Sequence, residues 1–189
     1  METLSQYYKE QLQTLHSKSS SWGSTAHVAG AERVQEIADT FNLTDVLDYG
    51  CGKGVLKDSL KGLVVKEYDP GIPGKDSIPE PRELVACIDV LEHVEPKYIE
   101  AVIQDLKRVI LRKGFFLISL IPAIAKLPDG RNAHILLESP EWWNTLISKY
   151  FTVDRVDVFN YDKTKVKYFD TSKYPFHSMQ VEVSVSKES

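Results

Sequence analysis

The stretch Val46-Leu47-Asp48-Tyr49-Gly50-Cys51-Gly52-Lys53-Gly54 limits what this chain can fold into more than any other. A short apolar run meets an acid, and three glycines follow at alternate positions. Glycine has no Cβ and accepts positive φ, so the backbone can turn sharply here and a ligand can approach the main chain. Val55 to Leu63 reads as a helix after the turn. A strand, a glycine turn and a helix open a parallel α/β sheet, which binds ligands beyond the carboxyl ends of its strands. The dinucleotide fingerprint is G-x-G-x-x-G. In this chain the third glycine comes one residue early, and Asp48 precedes the turn.

The alternation continues downstream. Residues 2–17 carry Leu4, Tyr7, Tyr8, Leu12 and Leu15 at helical spacing, and Val28 to Phe41 sets Val34, Ile37, Ala38 and Phe41 on one face. Val64 to Tyr68 is a second strand, ending at Asp69-Pro70-Gly71. Leu84 to Ile88 is continuously apolar, as expected of a strand buried on both faces. Lys97 to Leu111 reads as a helix and Phe115 to Ile121 as the next strand. Ser139-Pro140-Glu141 starts a helix that runs to about Lys149, with serine as cap and proline at the first position. Phe151 to Phe159 and Met179 to Ser186 alternate apolar and polar residues and form a terminal antiparallel pair. The expected fold is α/β and Rossmann-like: a mostly parallel central sheet with an antiparallel C-terminal strand and helices on both faces. The interval from Asp69 to Leu84 is short for a further strand and helix, so the third unit is expected to shrink to a loop.

The 189 residues fit one domain. Residues 1–27 form an N-terminal helix and loop over the site, 28–189 the core, and 160–178 a long loop in the terminal hairpin. The net charge of −4, from 23 basic and 27 acidic residues, argues against a broad phosphate-binding surface. Two cysteines, Cys51 and Cys87, are too few for a disulfide framework and read as reduced thiols of a cytoplasmic protein. No signal peptide or membrane span is read, so no membrane partner is expected. In the loop, Tyr161, Tyr168, Phe169, Tyr174 and Phe176 interleave with Lys163, Lys165, Lys167 and Lys173. That pattern suits nucleic acid, a lid or a dimer surface.

The run from Val46 to Gly54 resembles motif I of class I S-adenosylmethionine-dependent methyltransferases. The resemblance implies a seven-stranded sheet with an antiparallel last strand. It also implies that Asp48, Tyr49, Gly50, Cys51 and Gly52 wrap the methionine part of S-adenosyl-L-methionine, with Asp48 near its amino group. The acid that takes the ribose hydroxyls lies about 20 residues past the first glycines. Asp69 has that place, with Pro70 beside it and Glu67 as a rival. A carboxylate accepts two hydrogen bonds at once, which suits a vicinal diol. Adenine contacts are expected from Asp76, Ser77 and Ile78.

Cys87-Ile88-Asp89-Val90-Leu91-Glu92-His93 resembles the segment after the fourth strand of small-molecule methyltransferases, including the ubiquinone-pathway O-methyltransferases. There Ile88 and Asp89 would line the sulfonium side. If Asp89 begins a helical turn, Glu92 and His93 share its face. With His134 from the loop after the next strand, Asp89, Glu92 and His93 form a candidate site for Mg²⁺ or Mn²⁺. A bracing role for Glu92 and His93 is the alternative, and His93 or His134 as catalytic base a third reading.

The acceptor pocket is expected from Tyr7, Tyr8, Trp22 and His27 together with the segment from Ile121 to Trp143. Arg131 is a candidate for a carboxylate or phosphate. The (Asp/Asn)-Pro-Pro-aromatic motif of DNA amine methyltransferases has no counterpart at Asp89-Val90-Leu91-Glu92. The expected activity is methyl transfer to an O or N atom of a small or medium acceptor. The alternatives are a metal-dependent nucleic-acid methyltransferase, a non-catalytic binding protein, and transfer of another part of the same cofactor.

Overall fold

The computed structural model describes residues 2–19, 22–23, 28–160 and 172–185. β1 (Asp45–Tyr49) leads into the glycine turn, with β2 (Val64–Tyr68) and β3 (Arg82–Ile88) parallel to it on either side. β4 (Ile110–Ser119) pairs parallel with β3. β6 (Phe176–Ser184) runs antiparallel between β4 and β5 (Thr152–Asn160). The six strands are ordered β2-β1-β3-β4-β6-β5. The expected mostly parallel sheet and antiparallel last strand are both present. Among the described residues there is no seventh strand: none forms between Tyr68 and Arg82, a fully described interval, and β2 is left as the sheet edge.

β3 holds the layers together. Leu84 and Ala86 pack against Val34, Ile37 and Ala38 of α2 (Val28–Phe41) and Leu56 of α3 (Leu56–Ser59). Val85 and Cys87 face the other way, toward Val102, Ile103 and Leu106 of α4 (Ile99–Val109) and Trp143 of α5 (Pro140–Ser148). None of the four β3 residues is exposed. That explains why this run is uniformly apolar where a half-buried strand would alternate. A smaller cluster of Tyr8, Leu127 and Ala133 lies beneath α1 (Gln6–Lys18).

Three elements depart from their expected lengths. The helix expected over Val55 to Leu63 is one four-residue turn, because the chain extends at Leu60 and Gly62 adopts φ +70°. β4 starts at Ile110, inside the expected helix, and ends at Ser119, short of Ile121. Arg112 and Lys113, between the expected helix and strand, belong to β4 and pair with Glu83 and Asp154. No described helix is long and apolar enough to cross a membrane. The aromatic and lysine-rich residues 161–171 lie outside the described residues, and so do the roles expected of them.

The start of α5 follows the sequence closely: the Ser139 hydroxyl accepts the Trp142 N–H at 3.2 Å, with Pro140 in the first turn. Ser139→Ala will lower unfolding free energy by about 1 kcal/mol, measured by urea denaturation. No change would mean that this cap is dispensable.

Candidate active site

The carboxyl ends of β1, β3 and β4 open onto one cavity of about 890 Å³, within the usual size of small-molecule sites, about 300–1,000 Å³. Gly50, Gly52, Asp69 and Pro70 line one part of it, His93 and His134 another, and Asp89, Val90 and Ser119 are also on its wall. It sits where the strand order reverses between β1 and β3, the topological switch point of an open α/β sheet.

The glycine turn is shaped by close approach. Gly50 and Gly52 have φ of +78° and +51°. A Cβ on Gly50 would lie 2.4 Å from Val90 Cγ2, and one on Gly52 would lie 2.4 Å from the Gly23 carbonyl oxygen. The Gly50 and Cys51 N–H groups donate to the Tyr68 carbonyl at 2.7 and 3.0 Å, tying the turn to the end of β2. Asp69 follows directly. Its Oδ2 accepts the Gly52 N–H at 2.9 Å and its Oδ1 accepts the Gly71 N–H at 2.8 Å. Each carboxylate oxygen keeps a further lone pair, so Asp69 is fixed in place yet able to accept more. The rival Glu67 is held in ion pairs by Lys57 and Lys75. Lys75 also donates to the Gly52 carbonyl at 3.2 Å.

Tyr49 and Pro70 reach the cavity, whereas Asp48, Cys51 and Ile88 are not on its wall. Ile88 packs toward α2, where a Cβ on Gly30 would lie 3.2 Å from its Cδ1. Burial pushes the Cys51 thiol up to about 12, so it is no nucleophile at neutral pH. Asp48 is only 5% exposed, and burial, followed by the neighbouring Glu67 charge, raises its pKa to about 7. Asp76 is paired with Lys9 at 3.0 Å, and Ile78 is 81% exposed. Neither they nor Ser77 line the cavity.

Asp89 does not begin a helical turn. It adopts φ +53°, its N–H donates to the Leu117 carbonyl at 2.9 Å, and a 3₁₀ turn (Leu91–His93) follows. Three of the four predicted ligands nevertheless converge: donor atoms of Glu92, His93 and His134 lie within 4.8 Å of one another. Asp89 stands outside this group, although its charge acts on all three. Glu92 is fully buried; Oε1 accepts the Ser119 N–H at 2.9 Å, and Oε2 has no partner. Burial, then Asp89, raises its pKa well above the carboxylate range. His93 Nδ1 is 2.8 Å from the Ala133 carbonyl, and His134 Nδ1 contacts the Ile121 carbonyl. A carbonyl only accepts, so each ring carries its proton on Nδ1 and keeps Nε2 as a lone pair. Burial, then His134, lowers the His93 pKa to about 4, and burial lowers that of His134. Both imidazoles are neutral at pH 7.

α1 roofs the cavity. The Ser5 hydroxyl and N–H donate to Glu95 at 2.9 and 2.7 Å, and the Tyr8 hydroxyl donates to the His93 carbonyl at 2.6 Å. Tyr8 and Trp22 line the cavity as expected. Tyr7 is exposed and bonds Asp129, while His27 lies outside the described residues. Arg131 is engaged by Asp129 at 2.7 and 2.9 Å, so it is not held ready for a ligand. Trp143 is core; Trp142 is partly exposed and not on the cavity wall. Sequence reasoning passed over His16 and Ser119, both of which line the cavity. Ser119 ends an apolar strand and His16 sits among polar helix residues, so neither stands out by pattern.

No family model matches the sequence, and no curated protein matches it. Solved structures do match the fold. The 1,6-didemethyltoxoflavin-N1-methyltransferase of Burkholderia thailandensis, bound to 1,6-didemethyltoxoflavin and S-adenosylhomocysteine, aligns with a TM-score of 0.62 at 15% identity, over 96% of this chain and 90% of that one. The N-methyltransferase NodS of Bradyrhizobium japonicum, with S-adenosylhomocysteine, gives 0.62 at 11% identity, over 95% and 99%. The magnesium protoporphyrin IX methyltransferase of Synechocystis gives 0.58 at 17% identity, over 84% and 82%. The fold is that of class I S-adenosylmethionine-dependent methyltransferases.

Proposed function

We propose that the chain is an S-adenosylmethionine-dependent methyltransferase acting on an oxygen or nitrogen of a small or medium acceptor. The observation that carries this reading is the single cavity that joins Gly50, Gly52 and Asp69 to His93 and His134. Bound S-adenosylmethionine supplies a sulfonium methyl group to an acceptor lone pair held in line with it. The glycine turn receives the methionine part, and Asp69, fixed by two N–H donors, takes the ribose diol. Asp48 lies behind the turn and contributes through its charge. Asp89 and Val90 stand between cofactor and acceptor, and alignment of the two is the main catalytic demand.

The acceptor end is walled by Ile121, Pro122, Ala123, Ala125 and Phe159, and the described lining holds no lysine or arginine. Such a wall suits an uncharged, largely apolar acceptor better than a phosphate-bearing one, so the nucleic-acid reading is not preferred.

Glu92, His93 and His134 fit a divalent ion. Glu92 Oε2 is a buried oxygen without a partner, and both imidazoles present a free Nε2. Two imidazoles beside one carboxylate favour a transition-metal ion such as Mn²⁺ over Mg²⁺, with Asp89 as a neighbouring acid. When bound, the ion would polarise an acceptor hydroxyl and favour loss of its proton. The low basicity of His93 suits a ligand better than a proton acceptor.

Calorimetric titration of S-adenosylmethionine into the purified protein tests the reading, with chelator and again with Mn²⁺. Binding is expected in both runs; a folded sample that binds in neither rejects the cofactor assignment. His134→Ala is expected to weaken Mn²⁺ binding by at least about tenfold, and unchanged metal affinity would remove His134 from the ligand set.

A further inference from the structure

The third strand-and-helix unit is missing from this fold, and α1 covers the place beside Asp69 instead. Leu12 lies over the loop after β2, its Cβ 3.0 Å from where a Cβ on Gly71 would sit. Lys9 pairs with Asp76 of the same loop at 3.0 Å. One turn beyond Leu12 is His16. Its backbone carbonyl accepts from Lys53 Nζ at 2.9 Å, which anchors this end of the helix to the glycine turn. Its ring packs edge-on to Trp22 at 6.3 Å and touches the space beside Gly23, the residue that closes over Gly52.

His16 lines the same cavity as Gly52 and Asp69. Its Nδ1 is buried and has no hydrogen-bond partner. A buried polar atom without a partner is costly and uncommon in native structures. The residue that carries this atom lines the cavity, next to where a ligand would lie. Burial lowers the pKa of this ring, while Asp69 is the largest charge acting on it. The ring is therefore neutral at pH 7, and with its proton on Nε2 the Nδ1 lone pair can accept a hydrogen bond from a hydroxyl.

We propose that His16 is a cofactor-binding residue whose Nδ1 accepts a hydrogen bond from a ribose hydroxyl of S-adenosylmethionine, sharing the diol with Asp69. The assignment rests on the cofactor reading above. It gives α1 a direct part in recognition beyond covering the site.

The test measures calorimetric affinity for S-adenosylhomocysteine and for its 2′-deoxy and 3′-deoxy analogues, in the wild-type chain and two variants. His16→Leu is expected to weaken S-adenosylhomocysteine binding about fivefold to tenfold. That loss is expected to disappear with the analogue lacking the bonded hydroxyl. His16→Asn keeps a polar atom near the Nδ1 position and is expected to stay within about threefold of wild type. Wild-type affinity in His16→Leu would overturn the proposal. So would an equal loss for all three ligands, the mark of a packing role. A wild-type chain that binds none of them would overturn the cofactor reading itself, an outcome distinct from either.

Discussion

Asparagine in place of Asp48 will raise the stability of the ligand-free protein at pH 8 by about 2–4 kcal/mol, and by less than half as much at pH 5. The acid is buried at the end of β1, with Glu67 as a neighbouring charge, and its pKa rises to about 7 from an ordinary value of 3.8. Between those two values the folded chain binds a proton that the unfolded chain has released. Stability attributable to this group therefore falls as pH rises through that window, and the full penalty is present above pH 7. Asparagine has the same shape and no charge to bury. Urea denaturation of both chains at pH 5 and pH 8 measures the effect, and a gain that does not change with pH would show that the charge is not the cause.

Asp69→Ala is expected to weaken S-adenosylmethionine binding at least about 100-fold, because hydrogen bonds to a charged acceptor are the stronger kind. The same change leaves the Gly52 and Gly71 N–H groups without their acceptor, so the turn itself loosens. Lost stability of about 2 kcal/mol or more should accompany the lost affinity. Asp69→Asn separates the two effects. One amide oxygen can still serve a glycine N–H, so this variant should recover part of the stability and little of the affinity. Calorimetry and denaturation on both variants provide the comparison, and wild-type affinity in Asp69→Ala would sink the ribose assignment.

The sheet was legible where sequence pattern and burial coincide. The uniformly apolar β3 and the alternating β6 reflect their packing directly, whereas β5 alternates in sequence but leaves Val156, Val158 and Phe159 exposed. The loss of the third unit was visible as too short an interval after Asp69. The rest depended on partners distant in sequence. Arg112 and Lys113 carry no strand pattern of their own, and their partners Glu83 and Asp154 are distant in sequence. The helical turn considered at Asp89 does not form: its N–H bonds the distant Leu117 carbonyl and its φ is +53°. Glu92, His93 and His134 still meet, because the Ala133 and Ile121 carbonyls orient the two rings. His16 was invisible to spacing. Its role depends on α1 lying across the glycine turn, and no local pattern encodes that docking.

Because α1 stands in for an absent unit, the first turns of this chain are structural walls and not a trailing end. Ser5 and Tyr8 are fastened to the acceptor side, and Lys9 and Leu12 to the cofactor side. An affinity tag fused directly ahead of Ser5, or a trimmed variant starting at α2, changes both sides of the cavity together. A change that is harmless where a further strand and helix wall the cofactor side would here alter the site.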